Sequence, residues 1–169
     1  MPSFETLWRR YPDKDKIKAI CTNKQRDSNK PFSDYCAIMM SECFIRSGVD
    51  LSLYKGNRCW SHSGKKHVLL AEDFANGLSK FNPPVFSNVT KIPPGSFQTQ
   101  LEGKTGVIFF KDYWQRGKES FERRSGDHID LWNKDRITSS SMFVRGVLEF
   151  FGRVSDLNKS REIWFWEVK

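Results

Sequence analysis

The hydrophobic period of this chain changes once, and that change limits the folds open to it. Ala37, Met40, Phe44 and Ser47 recur at helical spacing, and Gly48 follows where a helix takes a left-handed C′ residue. Ser33 or Asp34 is placed to cap that helix at its start. A second helix is expected over Val68 to Lys80, with Leu70, Phe74 and Leu78 in line and Asn82-Pro83-Pro84 as its stop. Beyond residue 105 the pattern turns to short strand-like blocks: Gly106 to Trp114, His128 to Trp132, a strand opening near Arg136, and Ile163 to Val168. Asn133-Lys134-Asp135 supplies a turn between two of them. Ser139 to Ser141 are read as the cap of a short helix holding Phe143, Val147 and Phe150. Ahead of all this, Phe4, Leu7, Trp8 and Tyr11 form a short amphipathic helix, and Asn23 to Lys30 a loop. Helices first and strands afterward, without βαβ alternation, define an α+β chain with an antiparallel sheet. At 169 residues, one domain spanning 1–169 is expected.

Composition sharpens this. The chain has 28 Lys and Arg against 20 Asp and Glu, a formal charge of +8, yet it holds 14 Phe, 6 Trp and 4 Tyr. So many aromatics exclude a disordered polyelectrolyte. No apolar run approaches the ~20 residues of a membrane helix, so membrane insertion is not expected. The positive charge asks for an anionic partner, but basic residues are scattered without a long run, which argues against a nucleic-acid tail. The opening Met-Pro-Ser-Phe-Glu has neither a basic segment nor an apolar core, so no signal peptide is read.

Cys21, Cys36, Cys43 and Cys59 all fall in the first 60 residues. If Cys36 and Cys43 share a helix they are about 10.5 Å apart along its axis, beyond disulfide reach. With no Cys-x-x-Cys pair and three histidines spread along the chain, metal binding is set aside. A nucleophile is then one use for a cysteine. Cys36 falls in the first turn of its helix, where the positive end of the helix dipole stabilises a thiolate. In the His128 strand, alternation puts His128, Asp130 and Trp132 on one face and Ile129 and Leu131 on the other. A helix-start cysteine with a later strand histidine is the arrangement of papain-like cysteine hydrolases, in which the imidazole takes and returns a proton. A structural cysteine and a surface histidine satisfy the same spacing.

The residues around these positions carry a resemblance. Tyr35-Cys36-Ala37-Ile38-Met39-Met40-Ser41 is similar to the nucleophile helix of the type VI secretion amidase effector 4 family, whose motif reads Cys-Ala-Ile-Arg-Met-Ser. Ser47-Gly48-Val49, Arg58-Cys59-Trp60 and His67 to Glu72 resemble its following segments. Gly126-Asp127-His128-Ile129-Asp130-Leu131-Trp132-Asn133 resembles its histidine strand, and Ile163-Trp164-Phe165-Trp166 its last strand. The resemblance implies a papain-like fold and an antibacterial effector that hydrolyses the γ-D-glutamyl–meso-diaminopimelate bond of peptidoglycan stem peptides. It also implies Cys36 as nucleophile, His128 as general base and then acid, a cognate immunity protein as partner, and no cofactor. An effector made in the cytoplasm and carried by the secretion apparatus to the target periplasm needs no signal peptide.

Two positions depart from the family. Met39 stands where the family has Arg, and Ser139 falls where it has its acidic third residue. Asp130 is the rival third member, provided its carboxylate turns back along the strand, where residues two apart are separated by roughly 7 Å. Trp60 and Arg58 are candidate substrate-binding residues; Lys65, Lys66 and Arg123 are further candidates for pairing with stem-peptide carboxylates. His62 and His67 are read as surface or helix-start residues, and Asp127 is given no proton-transfer role. In an oxidising compartment Cys21 and Cys59 are the pair available for a disulfide. The missing acid at Ser139 and the net charge motivate a second reading, a degenerate hydrolase scaffold that binds cell wall or nucleic acid.

Overall fold

A computed structural model describes residues 1–25, 28–139, 142 and 156–168. The chain forms two compact units, Met1–Val85 and Phe86–Lys169. The expected helix over Phe143, Val147 and Phe150 lies outside the described residues.

The first unit is mainly helical. Helix α1 (Phe4–Arg10) is capped by Ser3, whose hydroxyl accepts from the Thr6 amide, and it buries Phe4 and Leu7. Helix α2 (Lys14–Ile20) is capped by Asp13, which accepts from the Asp15 and Lys16 amides, and it buries Ile17. The stretch expected as a loop holds a small antiparallel pair, β1 (Asn23–Gln25) with β2 (Ser28–Lys30). Helix α3 (Cys36–Ser47) packs against α1 and α4 and buries Ala37, Ile38, Met40, Cys43 and Phe44. Gly48 closes it with φ +79, and the Val49 amide reaches back to the Phe44 carbonyl at 2.9 Å. That left-handed turn is costly for any residue with a Cβ. Helix α4 (Ala71–Phe81) begins three residues later than the spacing predicts and buries Ala71, Phe74, Ala75 and Leu78. The Phe44 and Phe74 rings meet edge to face at 5.5 Å, joining α3 to α4.

The second unit is a five-stranded antiparallel sheet in the order β3-β7-β4-β5-β6. Its strands are β3 (Thr90–Ile92), β4 (Thr105–Trp114), β5 (Gly126–Asn133), β6 (Arg136–Ile137) and β7 (Glu162–Glu167), with short helix α5 (Phe97–Gln100) between β3 and β4. The strands expected from alternation are all present; edge strand β3 is additional. One face gathers Ile108 and Phe110 of β4, Trp132 of β5, and Ile163 and Phe165 of β7 around Phe97 and Leu101. The other carries Val107, Phe109, Ile129, Leu131 and Trp166, all equally buried.

The β4–β5 ladder breaks next to the histidine. Phe110 pairs with His128, but the next pairing is Trp114 with Gly126. The extra residues on β4 form a bulge in which Asp112 takes φ +49. The Asp127 carboxylate accepts the Asp112 amide at 2.9 Å. Asp127 therefore helps organise the bulge.

Candidate active site

Cys36 is the first residue of α3. The residue that precedes the helix is Tyr35, and its side chain makes no capping bond. This corrects the expectation of Ser33 or Asp34 as the cap. Tyr35 instead anchors the chain ahead of the helix, where its hydroxyl donates to the Cys21 carbonyl at 2.7 Å and accepts from the Phe32 amide at 3.2 Å. Its ring joins Ile17, Cys21, Ile38 and Cys59 in a buried cluster. The start of α3 is thus held by packing. No acidic side chain lies in its first turn, so the positive end of the dipole is not offset there by a carboxylate of the helix itself. Cys36 is partly exposed, whereas Cys21, Cys43 and Cys59 are buried. Cys36 and Cys43 share α3, which keeps them apart, and the Cys43 thiol donates to the Leu7 carbonyl.

On β5 the imidazole of His128 lies against the Phe110 ring, with centroids 6.4 Å apart and planes at 20°. Its Nε2 is 3.0 Å from Oδ2 of Asp130. The carboxylate does turn back along the strand. Asp130 is 1% exposed, and its other oxygen, Oδ1, accepts from the Leu131 amide at 2.8 Å and from the Thr138 hydroxyl at 2.7 Å. Contacts to His128, Leu131 and Thr138 fix the orientation of this buried carboxylate, as buried polar atoms require partners. An Nε2 that donates to Asp130 leaves Nδ1 as the basic nitrogen of the ring. Ser139 is exposed. Thr138, one residue before it, supplies the hydroxyl that reaches Asp130, and nothing in the spacing of the sequence marks it out.

Arg58 and Trp60 sit on the loop that precedes α4. The Arg58 guanidinium donates to the carbonyls of Lys66 at 2.9 Å, Leu51 at 2.5 Å and Tyr54 at 3.3 Å, and stacks over the Tyr54 ring. Those contacts make it a fastener of the loop. Trp60 is 49% exposed, yet its indole N–H is fixed on the Lys24 carbonyl and its ring packs edge-on against Phe32. It offers a rigid exposed aromatic face in the same unit as Cys36.

The same loop carries a cluster that sequence spacing alone disperses. His67 is 2% exposed, not a surface residue, and its ring lies 4.7 Å from that of His62. Cys59 Sγ is 3.0 Å from His62 Nε2 and accepts the His67 amide at 3.0 Å. A hydrogen bond from Cys21 draws the Cys59 thiol well below its ordinary range, against the effect of burial, and His67 adds to the shift. The same hydrogen bond, and then burial, push Cys21 up. Burial pushes His67 down, but Cys59 and Glu42 outweigh it and raise the imidazole. Burial likewise opposes ionisation of Glu42, and its hydrogen bonds from Arg46 and His67 prevail and lower it.

An α+β chain whose helix opens on a partly exposed cysteine, and whose antiparallel sheet holds a carboxylate-backed imidazole, has the parts of a papain-like hydrolase. The chain belongs to the type VI secretion system amidase effector protein 4 family, whose model matches residues 32–166. It is therefore an amidase effector of type VI secretion. No curated protein sequence matches the chain. Among solved structures it resembles the type VI effector Tae4 from Enterobacter cloacae, 18% identical, with a TM-score of 0.64 over 100% of this chain and 98% of that one. It also resembles the Tae4–Tai4 effector–immunity complex from Salmonella Typhimurium, at 17% identity, a TM-score of 0.65 and coverage of 100% and 99%. The corresponding complex from Enterobacter cloacae gives 18%, 0.61, and coverage of 100% and 99%. At these identities the likeness shows the shared papain-like fold. Among the described residues no helix is long and apolar enough to cross a membrane.

Proposed function

We propose that this effector kills bacteria by hydrolysing the γ-D-glutamyl–meso-diaminopimelate bond of peptidoglycan stem peptides, with Cys36 as nucleophile and His128 as general base and then acid. The observation that carries this reading is the His128–Asp130 pair: an imidazole whose Nε2 is 3.0 Å from a buried carboxylate. With the Nε2 proton directed at Asp130, Nδ1 takes the Cys36 thiol proton. The thiolate attacks the γ-carbonyl carbon of D-glutamate and forms a tetrahedral oxyanion. Collapse breaks the C–N bond, and His128 returns the proton to the departing amine of diaminopimelate. Water, deprotonated by His128, then attacks the thioester, releasing the glutamyl γ-carboxylate and restoring the thiol. Asp130 stabilises the imidazolium in both halves of the cycle and is the third member in this reading.

The second reading, a degenerate binding scaffold, draws on the lack of an acidic residue at Ser139. Asp130 beside His128 removes that motivation. A cognate immunity protein is the expected partner, since two of the similar structures are effector–immunity complexes. Trp60 is assigned to the stem-peptide cleft, and the excess positive charge to attraction toward the anionic wall. The test is digestion of purified peptidoglycan by the wild type and by Cys36→Ala and His128→Ala. Both variants are expected to keep the fold and lose hydrolysis; hydrolysis retained by Cys36→Ala would sink the reading.

A further inference from the structure

Cys21, Cys59, His62 and His67 bring two sulfur and two nitrogen donor atoms within 4.8 Å of one another. His62 Nε2 is 3.2 Å from His67 Nδ1 and 3.0 Å from Cys59 Sγ. In a tetrahedral zinc site, Zn–N bonds of about 2.0–2.1 Å and Zn–S bonds of about 2.3 Å set the nitrogens roughly 3.3 Å apart and the sulfurs roughly 3.8 Å apart. The cluster is therefore the size of a coordination tetrahedron. Its donor set, Cys₂His₂, is one that structural zinc takes.

The surroundings fit as well. The outward nitrogen of each ring rests on an acceptor: His67 Nε2 on Glu42 Oε2 at 2.9 Å, and His62 Nδ1 on the Ser63 carbonyl at 2.8 Å. Glu42 is itself held by Arg46 at 2.7 Å. A ring that donates outward turns a lone pair inward, so the inward nitrogens face each other and the sulfurs as ligands. A carboxylate or a carbonyl behind each histidine is the outer shell that orients metal-bound imidazoles. The His67 amide on Cys59 Sγ serves a thiolate ligand in the same way. Three of the four ligands are buried, with Cys21 fully inaccessible.

We propose that Cys21, Cys59, His62 and His67 bind one zinc ion as a structural site. The ion ties the end of α2, which carries Cys21, to the loop that carries Cys59, Trp60 and His62. Through Glu42 it is linked to α3, and the Tyr35 hydroxyl on the Cys21 carbonyl connects it to the residue before Cys36. The site thus sets both the exposed face of Trp60 and the start of the nucleophile helix. It stands on these four residues alone and does not depend on which bond the enzyme cuts.

The test is metal analysis of the full chain purified without chelator and incubated with zinc, followed by exchange to cobalt(II). One zinc per chain is expected. The cobalt form should show the thiolate-to-cobalt charge-transfer band and the intense visible bands of a tetrahedral site. His62→Ala, at the least buried ligand, should weaken zinc binding by about 10-fold or more in competition with a chromophoric chelator, with the circular dichroism spectrum kept. A wild-type chain that takes up no zinc, or a cobalt form without thiolate charge transfer, would overturn the proposal. So would a Cys21–Cys59 disulfide found by non-reducing peptide mapping of the native protein.

Discussion

The carboxylate of Asp130 meets Nε2 of His128 at 3.0 Å although the two residues alternate on one strand and the intervening Ile129 points to the other face. The contact needs a carboxylate bent along the strand, and the bend is held from its far side. Oδ1 takes the Leu131 amide and the Thr138 hydroxyl, so Oδ2 is left toward the ring. The geometry of the imidazole thus depends on the bend that follows β6, which carries Thr138, as much as on β5.

Asp130→Asn tests that orientation. An amide has one oxygen, and the Leu131 and His128 sides both require an acceptor. If the oxygen faces Leu131, the amide nitrogen faces Nε2 and favours the wrong tautomer; if it faces His128, two donors meet at Leu131. We expect hydrolysis to fall by on the order of 10²-fold or more. The measurement is the initial rate of muropeptide release, with circular dichroism confirming the fold. A loss under threefold would contradict the role assigned to Asp130.

Thr138 and Ser139 separate by single hydroxyl deletions. Thr138→Val removes one donor from a buried carboxylate while keeping the side-chain volume, and should cost about 1–3 kcal/mol of stability. It should also lower the rate several-fold, while Thr138→Ser restores both. Ser139→Ala should leave rate and melting temperature within error. The reverse ranking in thermal melts and rate assays would return the supporting role to Ser139.

Tyr54 gives a pH prediction. Burial first, then the charge of Asp73, push its phenol from 10 up to about 12, with Arg58 opposing. A raised phenol favours the neutral form in the folded state. Its contribution is complete below pH 10 and is lost as pH rises from 10 through about 12. The buried hydroxyl has no hydrogen-bond partner among the described residues, so Tyr54→Phe should not lower stability at pH 7. It should flatten the alkaline limb of stability between pH 10 and about 12, read by urea melts across that range. An unchanged alkaline limb would contradict this account of the shift.

Part of the fold and site is legible in the sequence for physical reasons. The period of α3, its Gly48 terminus, and the alternation of β4, β5 and β7 are patterns that burial imposes directly on residue order. The α+β class follows from them. The start of α3 is misplaced when a capping bond is sought at Ser33 or Asp34, because Tyr35 is fixed by a contact with Cys21 far back in the chain. The carboxylate that meets His128 is set by which way it bends, and Thr138, in the bend after β6, holds its far oxygen. The Cys21, Cys59, His62, His67 cluster escapes a search for Cys-x-x-Cys. A Cys-x-x-His followed by His67 is the available signal, and its fourth donor comes from the end of α2. Edge strand β3 is three residues long, too short for a period to register.

The most direct test of the account is mass spectrometry of muropeptides after digestion by the wild type and by Cys36→Ala. The prediction is one product pair from the wild type, a new γ-carboxylate on D-glutamate and a new amine on diaminopimelate, and neither product from the folded variant. Cleavage at any other bond, or the same products from Cys36→Ala, would contradict it.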